Sequence, residues 1–345
     1  MLKKDRIESS PYELTKEDFV SDQMVKWCPG CGAHAILAAV GNVFPSIGYK
    51  KENFAMVSGI GCSSRFPYYV NTYGFHGIHG RASAIASGLK LANPGLSVWV
   101  ATGDGDSMAI GGNHFIHILR RNIDVNILLF NNQIYGLTKG QYSPTTPLGA
   151  VTKTSPQGTI EHPFIVSGLV MGAQGTFFAR VPDNNVKLMN EVMYEAANHD
   201  GTSVVEILQN CIIFADKTHA LATDKEYRDD NQLILKNGEP MLFGKDKNKG
   251  IMLAGNRLVV VTLGEHGITE SDILVHNQYR KDPGIHRMIG RMMPPEFPVA
   301  MGVIRSAPFN TYDDLMEDQL AFAEKSSRIK TVNDLLHSGD TWEIT

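Results

Sequence analysis

Two uninterrupted apolar runs, SVWVA at 97–101 and VNILLF at 125–130, constrain this 345-residue chain more than any other feature. A strand exposed on one face alternates polar and apolar side chains, whereas a run that is apolar throughout is covered on both faces. Between the two runs, residues 107–121 carry helical spacing. Strand, helix and strand in that order, with both strands doubly buried, form the βαβ unit of a parallel sheet. The alternation continues on either side. Strands are expected over 53–58, 175–181 and 203–208, and helices over 81–91 and 186–198, the first stopped by Asn93-Pro94-Gly95. The fold class is therefore α/β, a doubly wound parallel sheet. Residues 1–26 are polar and read as an N-terminal arm, and 27–215 hold the βαβ series. Residues 216–345 read as a C-terminal extension making subunit contacts, with one more strand at 258–263 and a helix at 312–325.

Charge and hydropathy exclude several classes. Lys+Arg 32 against Asp+Glu 36 leaves a net charge of −4, without the basic surface that nucleic acid requires. No apolar run approaches the ~18–20 residues of a membrane span. The N-terminal MLKKDRIESSPYELTKEDF has no apolar core of a secretory signal, so the cytoplasm is the expected compartment. Glycine, 33 of 345 residues, exceeds its usual share and marks loops where backbone approaches a ligand.

The sharpest local pattern is Gly103-Asp104-Gly105 after the first apolar run and Asn131-Asn132 after the second, with 25 residues between them. A right-handed crossover brings both to the carboxyl edge of the sheet, where ligands bind in such folds. Magnesium takes about six oxygen ligands at ~2.1 Å, from carboxylates, amides, carbonyls, water and phosphate. Asp104 offers the carboxylate, Asn132 a neutral oxygen and Ile134 a backbone carbonyl. The two glycines let the backbone close on a diphosphate, and the helix opening near Ser107 points its N-terminus at that charge.

The chain has four cysteines: Cys28, Cys31, Cys62 and Cys211. A reducing compartment argues against disulfides. Cys28-Pro-Gly-Cys31 is a chelate, and four thiolates complete either a zinc site or an iron–sulfur cubane. Spacing alone does not separate these two, and a dithiol redox motif needs only two of the four.

The strings WCPGCG (27–32), GIGCSSRFPYY (59–69), YGFHGIHGRA (73–82), GDGDSMAIGGNHFIHILRRN (103–122) and NNQIYGLTKGQYSPT (131–145) together resemble the β subunits of the 2-oxoacid:ferredoxin oxidoreductases. Within that family the likeness is closest to the two-subunit 2-oxoglutarate type. The resemblance implies the diphosphate-type thiamine-binding fold, with thiamine diphosphate and Mg²⁺ as cofactors. It implies a cofactor lining of Ile60, Gly61, Cys62, Ser63, His79, Gly80, Arg81, Ala82, Gly105, Asp106, Gly136 and Leu137. Asp104, Asn132 and Ile134 become the magnesium ligands, and Cys28, Cys31, Cys62 and Cys211 the ligands of one [4Fe–4S] cluster. The implied reaction is oxidative decarboxylation of a 2-oxoacid to an acyl-CoA and CO₂, with electrons passing singly through the cluster to ferredoxin. Zinc is redox-inert and could not serve in that step. Arg65 and Lys139 are candidates for gripping substrate carboxylates. Thiamine catalysis also needs a glutamate on the aminopyrimidine ring, from a second fold that this chain does not offer, so an α-subunit partner is expected. Two other readings are a pyruvate-type β subunit and a non-oxidative decarboxylase subunit carrying a structural zinc. His114 and His117 read as helix packing, the Lys245–Lys249 run as a solvated loop.

Overall fold

The computed structural model describes residues 12–344. Its centre is an eight-stranded sheet. In chain order its strands begin with β1 (Phe54–Ser58), β2 (Tyr73–His76), β3 (Ser97–Gly103) and β4 (Asn126–Asn131). The short β5 (Ile134–Tyr135) and β6 (Gln141–Tyr142) form a separate hairpin, and β7 (Phe177–Pro182) and β8 (Ser203–Leu208) return to the main sheet. β9 (Gln232–Ile234) joins one edge; β10 (Leu242–Phe243), β11 (Lys249–Ala254) and β12 (Arg257–Thr262) make a small antiparallel sheet; β13 (Val299–Ser306) comes back to the main sheet between β7 and β9. The spatial order is β2-β1-β3-β4-β8-β7-β13-β9. The first six run parallel, and β13 pairs antiparallel to β7 and parallel to β9.

The apolar runs follow from this layering. Along β3, Trp99 and Ala101 enter one core while Val98 and Val100 enter the other; along β4, Leu128 and Phe130 oppose Ile127 and Leu129 in the same way. One core is covered by helices α1 (Ala33–Ile47) and α5 (Val186–Asn198), the other by α2 (Ala82–Ala92), α3 (Gly112–Arg121) and α4 (Val166–Gly172). Helix α1 stops at Gly48, whose φ of 91° is the left-handed C-terminal cap that glycine takes without steric cost. Its Phe44 stacks on Phe54 at 4.7 Å and contacts Trp99 at 5.0 Å.

The structure bears on three expectations outside the βαβ series. Residues 216–345 are not set apart from the sheet, because β9 and β13 extend it. The strand expected at 258–263 exists as β12, but in the small sheet. Of the arm expected at 1–26, residues 1–11 lie outside the described residues; Phe19 is buried against Phe44 and Phe54, so this part of the segment belongs to the core. Among the described residues no helix is long and apolar enough to cross a membrane.

Phe44 is 1% exposed at the meeting of α1, β1 and β3. Phe44→Ala is expected to destabilise the fold by about 3–5 kcal/mol through lost burial and a cavity, read as a lowered urea midpoint with unchanged slope.

Candidate active site

β3 and β4 end level, with Gly103 paired to Phe130, so Asp104 and the Asn131-Asn132 pair emerge side by side at the carboxyl edge. Asp104 is 2% exposed, and its Oδ2 accepts from Ser143 Oγ at 2.5 Å and lies 2.5 Å from Thr145 Oγ1. Burial pushes its carboxyl up to about 6 despite these hydroxyls, which favour the ionised form. A divalent cation would reverse that penalty. Asn132 Oδ1 accepts from the Ile134 backbone N–H at 3.2 Å. An amide oxygen has a second lone pair, and Asn132 lines a cleft of about 130 Å³ together with Asp104 and Ile134.

Asp106 ties the surrounding loops together. Its Oδ1 accepts from Gly80 N at 2.7 Å, Ile60 N at 3.1 Å and His79 Nδ1 at 2.5 Å, while Oδ2 accepts from Thr102 Oγ1 at 2.8 Å. One buried carboxylate therefore sets the 60s loop, the 79–80 turn and the end of β3 relative to each other. Gly105 faces Tyr135: a Cβ there would lie 2.2 Å from Tyr135 Cε1, and Tyr135 Oη donates to Gly105 O at 3.1 Å. Of the expected cofactor contacts, Ile60, Gly61, Cys62, Ser63, His79, Gly105, Asp106, Gly136 and Leu137 line the cleft. Gly80, Arg81 and Ala82 lie behind it. The Gly80 N–H bonds Asp106, Arg81 Nη1 donates to His79 O at 2.9 Å, and Ala82 is buried in the core under α2.

The four cysteines, drawn from three separate segments of the sequence, line one cavity of about 210 Å³. The Cys28–Cys31 turn is held by Cys31 N–H donating to Cys28 O at 3.1 Å, and Gly32 N–H donates to Asn210 O at 3.3 Å beside Cys211. Trp27 Nε1 donates to Cys62 O at 2.7 Å. Gly136 leaves the cavity open: a Cβ would stand 3.5 Å from Cys211 Sγ and 3.8 Å from Cys62 Sγ. Burial, and then the neighbouring thiols, push Cys31 up and Cys62 up to about 11. Four thiols lining one cavity, two of them raised by burial, fit a cationic centre that would deprotonate them on binding. Among the described residues, no three Cys, His, Asp or Glu close around a single ion. Thiolates are the donors of both tetrahedral zinc sites and iron–sulfur cubanes, so the donor set fits a thiolate-bound metal centre. Arg65 and Lys139 stand on the wall of this cavity and not in the cleft, though Cys62, Asn132, Gly136, Leu137 and Gln209 line both.

Other residues the sequence did not single out complete the site. Behind Asp104 runs a buried chain: Arg180 Nε to Glu206 Oε2 at 2.7 Å, Asn131 Nδ2 to Glu206 Oε1 at 2.7 Å, and Thr145 Oγ1 2.9 Å from Asn131 Oδ1. The available signal was a charge in the middle of each apolar strand, Arg180 in FFARVP and Glu206 in SVVEIL.

A doubly wound sheet whose carboxyl edge presents a buried carboxylate and a paired asparagine over a glycine-lined cleft defines a thiamine-diphosphate-binding domain. Residues 59–207 match the family described as thiamine pyrophosphate enzyme, C-terminal TPP binding domain. The chain is 46% identical over 331 residues, 95% of its length and 88% of the relative's, to the 2-oxoglutarate oxidoreductase subunit KorB of Mycobacterium tuberculosis. It is 44% identical over 194 residues, 56% of its length and 63% of the relative's, to the β subunit of 2-oxoacid:ferredoxin oxidoreductase 2 of Aeropyrum pernix. It belongs to the β subunits of the 2-oxoacid:ferredoxin oxidoreductases. Among solved structures it is similar to the 2-oxoglutarate:ferredoxin oxidoreductase of Magnetococcus marinus with 2-oxoglutarate, coenzyme A and succinyl-CoA bound, with a TM-score of 0.76 and 28% identity, covering 97% of this chain and 100% of that one.

Burial pushes the Asp104 carboxyl up to about 6, and only its ionised form would ligate a magnesium ion there. Mg²⁺-dependent thiamine diphosphate binding is therefore expected to weaken as pH falls through 6, by up to tenfold per unit below it, as measured by calorimetric titration. An affinity flat from pH 7 to 5 would contradict this placement of the cation.

Proposed function

We propose that this chain is the β subunit of a cytoplasmic enzyme that converts 2-oxoglutarate, coenzyme A and oxidised ferredoxin to succinyl-CoA, CO₂ and reduced ferredoxin. The observation that carries the reading is the joining of two cavities through one wall: a carboxylate–amide cleft suited to Mg²⁺ and diphosphate, and a four-thiol cavity suited to a [4Fe–4S] cluster. Thiamine diphosphate held in the cleft would supply the electron sink for loss of CO₂, and a [4Fe–4S] cluster held by Cys28, Cys31, Cys62 and Cys211 would supply one-electron redox chemistry beside it. The remaining work falls to the protein. Asp104, Asn132 Oδ1 and the Ile134 carbonyl hold the magnesium, with Ser143 and Thr145 fixing the rotamer of Asp104. His79, Gly105 and Asp106 shape the diphosphate end, with Asp106 acting through the loops it ties together.

Cys28, Cys31, Cys62 and Cys211 hold the cluster; Cys62 is common to both cavities, which keeps the electron path short. Cys28 is exposed, giving the cluster a route to an external ferredoxin. Arg65 and Lys139 provide two positive charges on the wall of the thiol cavity, next to the residues it shares with the cleft, matching the two carboxylates of a 2-oxodiacid. An α subunit closes the cleft. Beside His79 and Gly80, Ile78 is 68% exposed and Ile110 54%, an apolar rim suited to a protein partner.

The test is the αβ complex with a panel of 2-oxoacids and ferredoxin as acceptor. About four irons per β chain are expected, lost in Cys211→Ser, together with a preference for 2-oxoglutarate over pyruvate. Arg65→Ala or Lys139→Ala should raise KM for 2-oxoglutarate roughly 10- to 100-fold, the worth of one charge-assisted hydrogen bond. Zinc in place of iron, or decarboxylation without ferredoxin reduction, would overturn the reading.

A further inference from the structure

Gln209 is 2% exposed on the wall between the two cavities. Its backbone N–H donates to Asn131 O at 3.0 Å, which places the side chain where β8 leaves the sheet. That side chain spans both sites. Oε1 accepts from Asn132 Nδ2 at 3.2 Å, and Nε2 donates to Cys31 Sγ at 3.4 Å. An amide can be turned end for end, so its polarity needs an anchor. The Ile134 backbone N–H provides one: it can only donate, and it donates to Asn132 Oδ1. Asn132 must then present Nδ2 to Gln209, and Gln209 must present Nε2 to the sulfur. The donors run one way, from a cation ligand to a cluster ligand.

Hydrogen bonds to the sulfur ligands of an iron–sulfur cluster stabilise the charge gained on reduction and raise its potential. A cation on Asn132 Oδ1 draws charge from that amide, strengthens Nδ2–H as a donor, and polarises the next amide in the same sense. We infer that Gln209 is a positioning residue that raises the potential of the cluster and transmits loading of the cation–diphosphate site to it, so that the electron acceptor strengthens when the cofactor is in place. This rests on the cluster reading above. The amide carries neither electron nor proton; it acts on charge already present.

The experiment uses the αβ complex. Gln209→Met keeps length and bulk but removes both hydrogen bonds. Gln209→Glu keeps the acceptor facing Asn132 and replaces the donor with an oxygen. The midpoint of the cluster is followed by redox titration with EPR detection, with and without Mg²⁺ and thiamine diphosphate, alongside iron content. In both variants the reduced-to-oxidised ratio at fixed potential should fall about tenfold, a negative shift of about 59 mV for one electron. Loading the wild type should move its midpoint positive, and Gln209→Met should abolish that movement. Full iron with an unshifted midpoint in Gln209→Met overturns the inference and leaves the cluster reading intact. A wild-type complex without iron overturns the cluster reading itself. If both variants lose their iron, the wild type decides: a midpoint indifferent to Mg²⁺ and thiamine diphosphate overturns the inference.

Discussion

The level ending of two parallel strands underlies the whole site. With Gly103 paired to Phe130, and Asn131 in turn paired to Leu208 on β8, three strands release their chains at one edge of the sheet. β3 delivers Asp104, β4 delivers Asn131 and Asn132, and β8 delivers Gln209 and Cys211. A shift of this pairing by one residue would turn each side chain to the opposite face, and the burial of both faces forbids it. The core thus secures the register, and the register places the chemistry.

Around that edge the protein uses few residues for several tasks. Asn132, Gly136 and Leu137 line both cavities, so the proposed magnesium and cluster sites share a wall and not merely a neighbourhood. Asp106 fixes three loops through one carboxylate, which makes the shape of the cleft a cooperative property. The Arg180–Glu206 pair is buried, where desolvation of two charges offsets much of their attraction. Its position accounts for it better than stability does: Glu206 orients Asn131, Asn131 meets Thr145, and Thr145 meets Asp104.

Legibility tracked how local each signal was. Helix 186–198 and strand 203–208 appear with the boundaries read from their spacing, because each is bounded by turns and carries one period throughout. β13 was missed since its apolar run directly follows the Pro- and Met-rich RMIGRMMPPEFP; what makes it a strand of the main sheet is its pairing with β7, over a hundred residues earlier. Arg81 and Ala82 are expected as cofactor contacts through the family resemblance; the chain turns at Gly80, φ 72°, and neither residue lines the cleft. Ser143, Thr145 and Gln209 are polar residues of a common kind, and residue type alone does not mark them as part of the site.

The amino-acid sequence alone determined the doubly wound sheet, the Asp104–Asn132 pairing and the candidate set of four thiols. Each depends on residue type and on spacing within one βαβ unit or one short motif, where sterics and periodicity act locally. Only the tertiary structure decided that the thiols share a cavity, that Asp106 and the buried chain through Glu206 hold the site in shape, and that Gln209 joins its two halves. Those facts come from contacts between segments up to about 180 residues apart, and such contacts exist only once the packing of both faces has fixed how the strands lie.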